Sequence, residues 1–194
     1  MIGDQSPSGM SEPLQIIFWP DPRLKKISPP VKAFDQELRD LSARMFDIMR
    51  ENKGVGLAAP QVGRNIRFFV MNATGMPADD RVYVNPLVSD ADGEEEDEEG
   101  CLSLPDIRIQ VLRNKTMRIT AFDLDGKQFE QVESGFPARV WQHEIDHLNG
   151  IMLTDRMGPV ARMANRRKLK ELDEQYEKEH PKEPKSPSKR RTRK

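Results

Sequence analysis

Six consecutive residues, Gln142-His143-Glu144-Ile145-Asp146-His147, constrain this 194-residue chain more than any other segment. Two imidazoles four positions apart meet at a common point when the backbone between them is helical, because residues i and i+4 share one face of an α-helix. With Glu144 beside them they form the His-Glu-x-x-His pattern, in which two histidines hold a metal ion and the glutamate carries protons. A catalytic ion of this kind takes three protein ligands and keeps one position open for water. The chain has three histidines and one cysteine, so few groups compete for the third place. His180 lies in a polar, proline-punctuated tail. The longer pattern His-Glu-x-x-His-x-x-Gly-x-x-His is matched as far as Gly150, and then Leu153 stands where a third histidine belongs. Cys101, in Glu99-Gly100-Cys101-Leu102-Ser103, offers a thiolate, a strong ligand for borderline metals. Glu171 and Glu174 offer instead the carboxylate of a zinc endoprotease site. Residue types alone leave the choice open.

A glycine-rich segment, Gly54-Val55-Gly56-Leu57-Ala58-Ala59-Pro60-Gln61-Val62-Gly63, has the spacing of the dinucleotide fingerprint. That fingerprint needs a strand before it and a helix opening within it. Here a helical pattern precedes it (Leu38, Leu41, Met45, Ile48) and a strand-like run from Ile66 to Val70 follows, so the nucleotide reading fails. Glycines lacking side chains suit close approach of backbone to a ligand.

Punctuation gives the remaining elements. Asp35 caps a helix over 36–52. An apolar run covers 14–18, and strands are expected over 66–71, 81–88, 107–112, 116–124 and 127–133. Asp125-Gly126 joins the last two as a hairpin. Ser134 is expected to cap the helix bearing the histidines, with Pro137 in its first turn, and a final helix covers about 160–178. Strands around an isolated helix predict an α+β fold: small antiparallel or mixed sheets around a central metal-binding helix, with an N-terminal and a C-terminal helix.

Taken in order, the three segments make the chain resemble the peptide deformylases, whose motifs are G-φ-G-φ-A-A-x-Q, E-G-C-φ-S and Q-H-E-φ-D-H with φ apolar. They occur as Gly54–Gln61, Glu99–Ser103 and Gln142–His147, and the resemblance spans residues 11–179. It implies a metal-dependent hydrolase of linear amides that removes the formyl group from the N-terminal methionine of newly synthesised proteins and releases formate. Cys101, His143 and His147 are then the ligands of one divalent ion. Cys/His₂ ligation suits Fe²⁺, Zn²⁺, Ni²⁺ and Co²⁺ alike; the resemblance implies Fe²⁺. Glu144 is the expected general base, and Gln61 with the backbone N–H of Leu102 the expected oxyanion donors. Val55 and Gly56 are expected along the substrate backbone, and Arg108, Phe136, Arg139 and Val140 around the methionine side chain. Two other classes remain: the endoprotease with Glu171 or Glu174 as third ligand, and a ribosome- or RNA-binding protein with a structural metal. A closed structural site needs four protein ligands, and three good ones are present.

Charge divides the chain. From His180 to Lys194 there are seven basic residues and one acidic, while eight of the ten residues from Asp90 to Glu99 are acidic. The tail, 180–194, is expected to be disordered and suited to ribosomal RNA phosphates. The acidic run reads as a solvated loop or strand edge. Residues 1–10 form an expected disordered extension, without the basic and apolar regions of a signal peptide, and 11–179 one catalytic domain. No stretch of eighteen apolar residues occurs, and a single cysteine agrees with a reducing compartment, so the expected location is the cytoplasm with no membrane or DNA partner.

Overall fold

Alternation along the short strand Phe68–Met71 sets the architecture. Phe68 and Val70 pack with Leu38, Met45, Phe46 and Met49 on one side, while Phe69 and Met71 pack with Trp141, Ile145 and Leu148 on the other. Successive side chains of a strand point to opposite faces, so this apolar run is a strand covered on both. The computed structural model describes residues 14–181. Within them, five strands form one antiparallel sheet in chain order: β1 (Gly56–Ala58), β2 (Phe68–Met71), β3 (Arg81–Cys101), β4 (Leu104–Phe122) and β5 (Gln128–Ser134). Helix α1 (Gln36–Glu51) covers one face and α2 (Phe136–Leu148) the other; α3 (Pro159–Ala164) and α4 (Arg166–Glu179) follow. This is the α+β arrangement expected, with the histidine-bearing helix at its centre. The expected extension 1–10 and all of the tail beyond Pro181 lie outside the described residues.

Asp35 caps α1 by accepting from the Leu38 N–H at 3.1 Å, which stabilises a helix by about 1 kcal/mol. In α2 the positions Ala138, Trp141, Ile145 and Leu148 form a stripe against the sheet. Ser134 does not cap it. Gly135 occupies the cap at φ +65, which favours glycine, and the Ser134 hydroxyl lies 2.7 Å from that of Thr116 at the end of β5. The Asp125-Gly126 hairpin forms, with Gly126 at φ +74 and its N–H donating to the Asp123 carbonyl at 3.1 Å.

The strands differ most from expectation. Residues 107–112 and 116–124 are not separate: β4 runs unbroken from Leu104 to Phe122. Its partner β3 continues far beyond residue 88, through the acidic run, with Glu94 opposite Asn114 and Glu98 opposite Gln110. The run is therefore paired strand and not loop. Beyond Val84, β3 pairs with β4 alone, so the acidic side chains before Glu99 sit on a solvated edge where charge also discourages further pairing, while Glu99 turns inward. The expected 160–178 helix divides at Asn165, whose side-chain amide and backbone N–H both donate to the Ala161 carbonyl, at 2.9 and 3.0 Å. The apolar 14–18 run joins no sheet. Single backbone bonds tie Ile17 to Gln61 and Trp19 to Ser103, at 2.8 and 2.9 Å, fastening two site-bearing segments to the N-terminal crossing.

Candidate metal centre

Two faces of α2 meet different surroundings. The stripe through Trp141 is buried against the sheet, and His143 and His147 point away from it. Cys101, at the end of β3, comes up to them: its Sγ lies 3.3 Å from His147 Nε2, and the two histidine Nε2 atoms are 3.2 Å apart. Among the described residues, Cys101, His143 and His147 form a cluster whose ligand atoms all lie within 4.8 Å of one another. A tetrahedral ion with bonds of about 2.0–2.3 Å needs ligand edges of roughly 3.3–3.8 Å, so the three atoms fit a single ion. His180 stacks on Tyr176 at the end of α4 and takes no part. Glu171 and Glu174 pair with Arg167 and Lys170 along their own helix, at 2.8 and 3.4 Å. Neither belongs to the cluster, which removes the endoprotease ligand set.

The donor atoms are prepared by their neighbours. Glu99 Oε2 lies 3.0 Å from His143 Nδ1, and a carboxylate accepts, so the ring proton sits on Nδ1 and the Nε2 lone pair faces the cluster. Glu99 is itself held by Arg113 through two bonds of 2.8 Å and by Arg139 through a third. Burial opposes charge on Glu99, but the bonds from Arg113 and His143 outweigh it and hold the carboxyl well below its usual range. Burial holds the pKa of His147 well below the ordinary value and so keeps its imidazole neutral. Arg113 also bonds Asp146 at 2.6 Å, and Asp146 in turn accepts from Arg156. Glu99, Arg113, Arg139 and Asp146 are buried, where charges are tolerated only when matched, while Arg156 reaches Asp146 from the exposed side.

Glu144 is 3 % exposed, and its Oε2 is buried with no hydrogen-bond partner among the described residues. Burial raises its pKa to about 7, which poises it near neutrality for taking and giving a proton. Its place depends on Gly56, where a Cβ would stand 2.4 Å from Glu144 Oε1. Gly54 similarly makes room for Leu102, whose Cδ1 would lie 2.7 Å from an added Cβ. Close approach is thus the use of these glycines, but what approaches is the protein itself. Gln61 is fixed at both ends of its amide. Oε1 accepts from the Ala58 N–H at 2.9 Å, so Nε2 faces Cys101 Sγ at 3.6 Å and Ser103 Oγ at 3.3 Å.

A cavity of about 690 Å³ opens beside this cluster. Val55, Gly56, Gln61, Leu102, Arg108, Phe136, Arg139 and Val140 all line it, along with Cys101, His143 and Glu144. Arg139 is not a free charge there. Its guanidinium binds Glu99 and the carbonyls of Val111 and Glu95, leaving its stem toward the cavity. Glu99, Ser103 and Asp146 stood in the motifs without a role of their own, and Arg113 lay outside them altogether. One signal for Arg113 was present: Ile107, Ile109, Val111 and Arg113 share a phase of two, which puts a charge on the buried face.

Comparison with known proteins agrees with this geometry. The family model described as polypeptide deformylase matches residues 13–163. A peptide deformylase of Rhodopirellula baltica is 44% identical over 167 residues, covering 85% of this chain and 83% of that protein. The crystal structure of a plant peptide deformylase superposes with a TM-score of 0.84 at 37% identity, covering 89% of this chain and 95% of that one. The peptide deformylase of Plasmodium falciparum gives 0.83 at 37% identity over 87% of this chain and all of its own. The chain therefore belongs to the polypeptide deformylase family.

Proposed function

We propose that Cys101, His143 and His147 hold one divalent ion and that Glu144 moves the proton when this enzyme removes the formyl group from newly made chains. As a deformylase it is a metal-dependent hydrolase of a linear amide whose substrates are formylated nascent peptides, and formate is the product. The observation that carries the assignment is the meeting of three ligand atoms, His147 Nε2 lying 3.3 Å from Cys101 Sγ and 3.2 Å from His143 Nε2, beside a buried carboxylate oxygen without a partner among the described residues.

When bound, the ion supplies Lewis acidity and lowers the pKa of a water molecule attached to it. Everything else falls to side chains. Glu144 takes the proton from the attacking water at Oε2, where no other donor competes, and passes it to the departing amine. Gln61 Nε2, aimed by the Ala58 bond, and the Leu102 backbone N–H donate to the oxygen that becomes negative at the formyl carbon. Val55 and Gly56 lie along the substrate backbone. Phe136, Val140, Arg108 and the stem of Arg139 border the methionine side chain. Formyl is the smallest acyl group, so a close fit excludes acetyl sterically.

The native ion in this reading is Fe²⁺, with Zn²⁺, Ni²⁺ and Co²⁺ able to occupy the same ligands. Iron beside a thiolate brings sensitivity to oxygen, so metal analysis belongs to protein prepared anaerobically. No helix among the described residues is long and apolar enough to cross a membrane. We place the enzyme in the cytoplasm, with residues 11–179 as catalytic domain and the basic tail 180–194 touching the ribosome.

The test separates ligation from proton transfer. Glu144→Gln is expected to keep its ion and to lose roughly two to four orders of magnitude in turnover of formyl-methionyl peptide, the usual weight of a general base. Near wild-type turnover by that variant contradicts the role given to Glu144.

A further inference from the structure

Part of the cavity wall is built on an irregularity in the sheet. β3 and β4 pair Gly100 with Arg108 and then Cys101 with Leu104, so Pro105, Asp106 and Ile107 are extra residues on β4. Bulges of this kind re-aim side chains beside active sites. Asp106 sits at φ +58, a conformation that a residue with a Cβ keeps only where its surroundings hold it. All three extra residues line the cavity, together with Leu104 and Arg108.

What holds the bulge comes from α4. Lys168 donates from Nζ to the carbonyl oxygen of Asp106. One position on, Leu169 is buried in a cluster with Leu104, Ile107 and Ile109. Neighbouring cations behave differently: Arg167 and Lys170 pair with glutamates of the same helix. Lys168 instead reaches off the helix to Asp106, the strained residue of the bulge. Polar fixation at Asp106 and apolar packing behind Ile107 act on adjacent residues of the same bulge.

We infer that Lys168 is a positioning residue for substrate: with Leu169 it sets the shape of the wall from Leu104 to Arg108, so peptide binding depends on a helix that contributes no ligand to the metal centre. The inference rests on the deformylase reading and adds to it a contribution to specificity from outside the three motifs. Ligands, Glu144 and Gln61 lie on β3, α2 and the turn after β1, so loss of the brace loosens the substrate wall without disturbing the chemistry.

The experiment compares Lys168→Met, Lys168→Arg and Lys170→Met with wild type, using a formyl-methionyl peptide and measuring KM, kcat, bound metal and Tm. Lys168→Met is expected to raise KM about threefold to tenfold, the effect of one lost hydrogen bond, with kcat and metal content unchanged. Lys168→Arg, which keeps a donor, restores most of the difference, and Lys170→Met matches wild type. A Lys168→Met protein with lowered Tm but wild-type KM makes the lysine merely structural and overturns the inference, as does a KM change no larger than that of Lys170→Met. If Lys168→Met does not fold, Leu169→Val, a milder loosening of the same wall, carries the same expectation for KM. An inactive wild type refutes the deformylase reading itself, which is a different result from an active wild type indifferent to residue 168.

Discussion

The absence of one methyl group, at position 56, decides where Glu144, the proposed proton carrier, can sit. Because a Cβ there would stand 2.4 Å from Glu144 Oε1, Gly56→Ala must push the carboxyl aside. Displacement of a catalytic group by about 1 Å can cost on the order of a hundredfold in rate, so kcat is expected to fall by about that factor while bound metal stays constant. Kinetics alongside metal analysis of the variant check both halves. Glu99 is the residue whose loss is expected to act on the metal. Glu99→Ala frees His143 Nδ1 and leaves Arg113 and Arg139 without their shared carboxylate. Metal affinity is expected to drop roughly 10–100-fold, read by competition with a chelator; unchanged affinity removes Glu99 from the site. The candidate ligands, which the fold brings into one cluster, were legible in the sequence because histidine and cysteine are scarce in it. Glu99 was legible only as part of the Cys101 motif, and its burial was not: seven acidic neighbours in the same run make a solvated side chain the obvious reading. Only the buried arginines, brought in from β4 and α2, single it out.

At the scale of elements, α2 serves the fold with one stripe and the site with another. Trp141, 1 % exposed and packed edge-on to Tyr83 at 5.7 Å, anchors the first. Trp141→Ala is expected to cost about 3–5 kcal/mol, seen as a lower urea midpoint, and activity at low denaturant should fall with the folded fraction. This helix was legible from period and punctuation, since both its faces carry distinctive residues. So were α1, through Asp35 and its apolar stripe, and the hairpin at Gly126. The length of β3 was not. Its acidic half has no apolar alternation of its own and becomes strand because β4 offers a partner more than ten residues away in the chain, a non-local term that local propensity does not contain. The division at Asn165 was missed for the opposite reason: it is confined to one residue, whose amide and N–H share the Ala161 carbonyl, inside a good helical stripe.

At the scale of the whole molecule, chemistry and charge are kept apart. No sequence motif of the site lies beyond His147, and beyond His180 the chain has no histidine or cysteine. Cutting the chain after Glu179 is expected to leave turnover of free formyl-peptides unchanged. If the tail docks on ribosomal RNA, co-sedimentation with ribosomes falls on truncation, and binding by the intact chain weakens steeply with salt as counterion release requires. Equal ribosome binding by both forms at low salt removes the docking role and leaves the enzyme intact. The central claim, an ion held by Cys101, His143 and His147 that makes this chain a deformylase, is tested most directly by anaerobic titration. Metal-free protein is given Fe²⁺ in steps while formate release from a formyl-methionyl peptide is followed. Activity is expected to rise in proportion and to level off at one ion per chain, with Cys101→Ala failing to respond. Formate release that is already full before metal is added, or an equal response from Cys101→Ala, contradicts it.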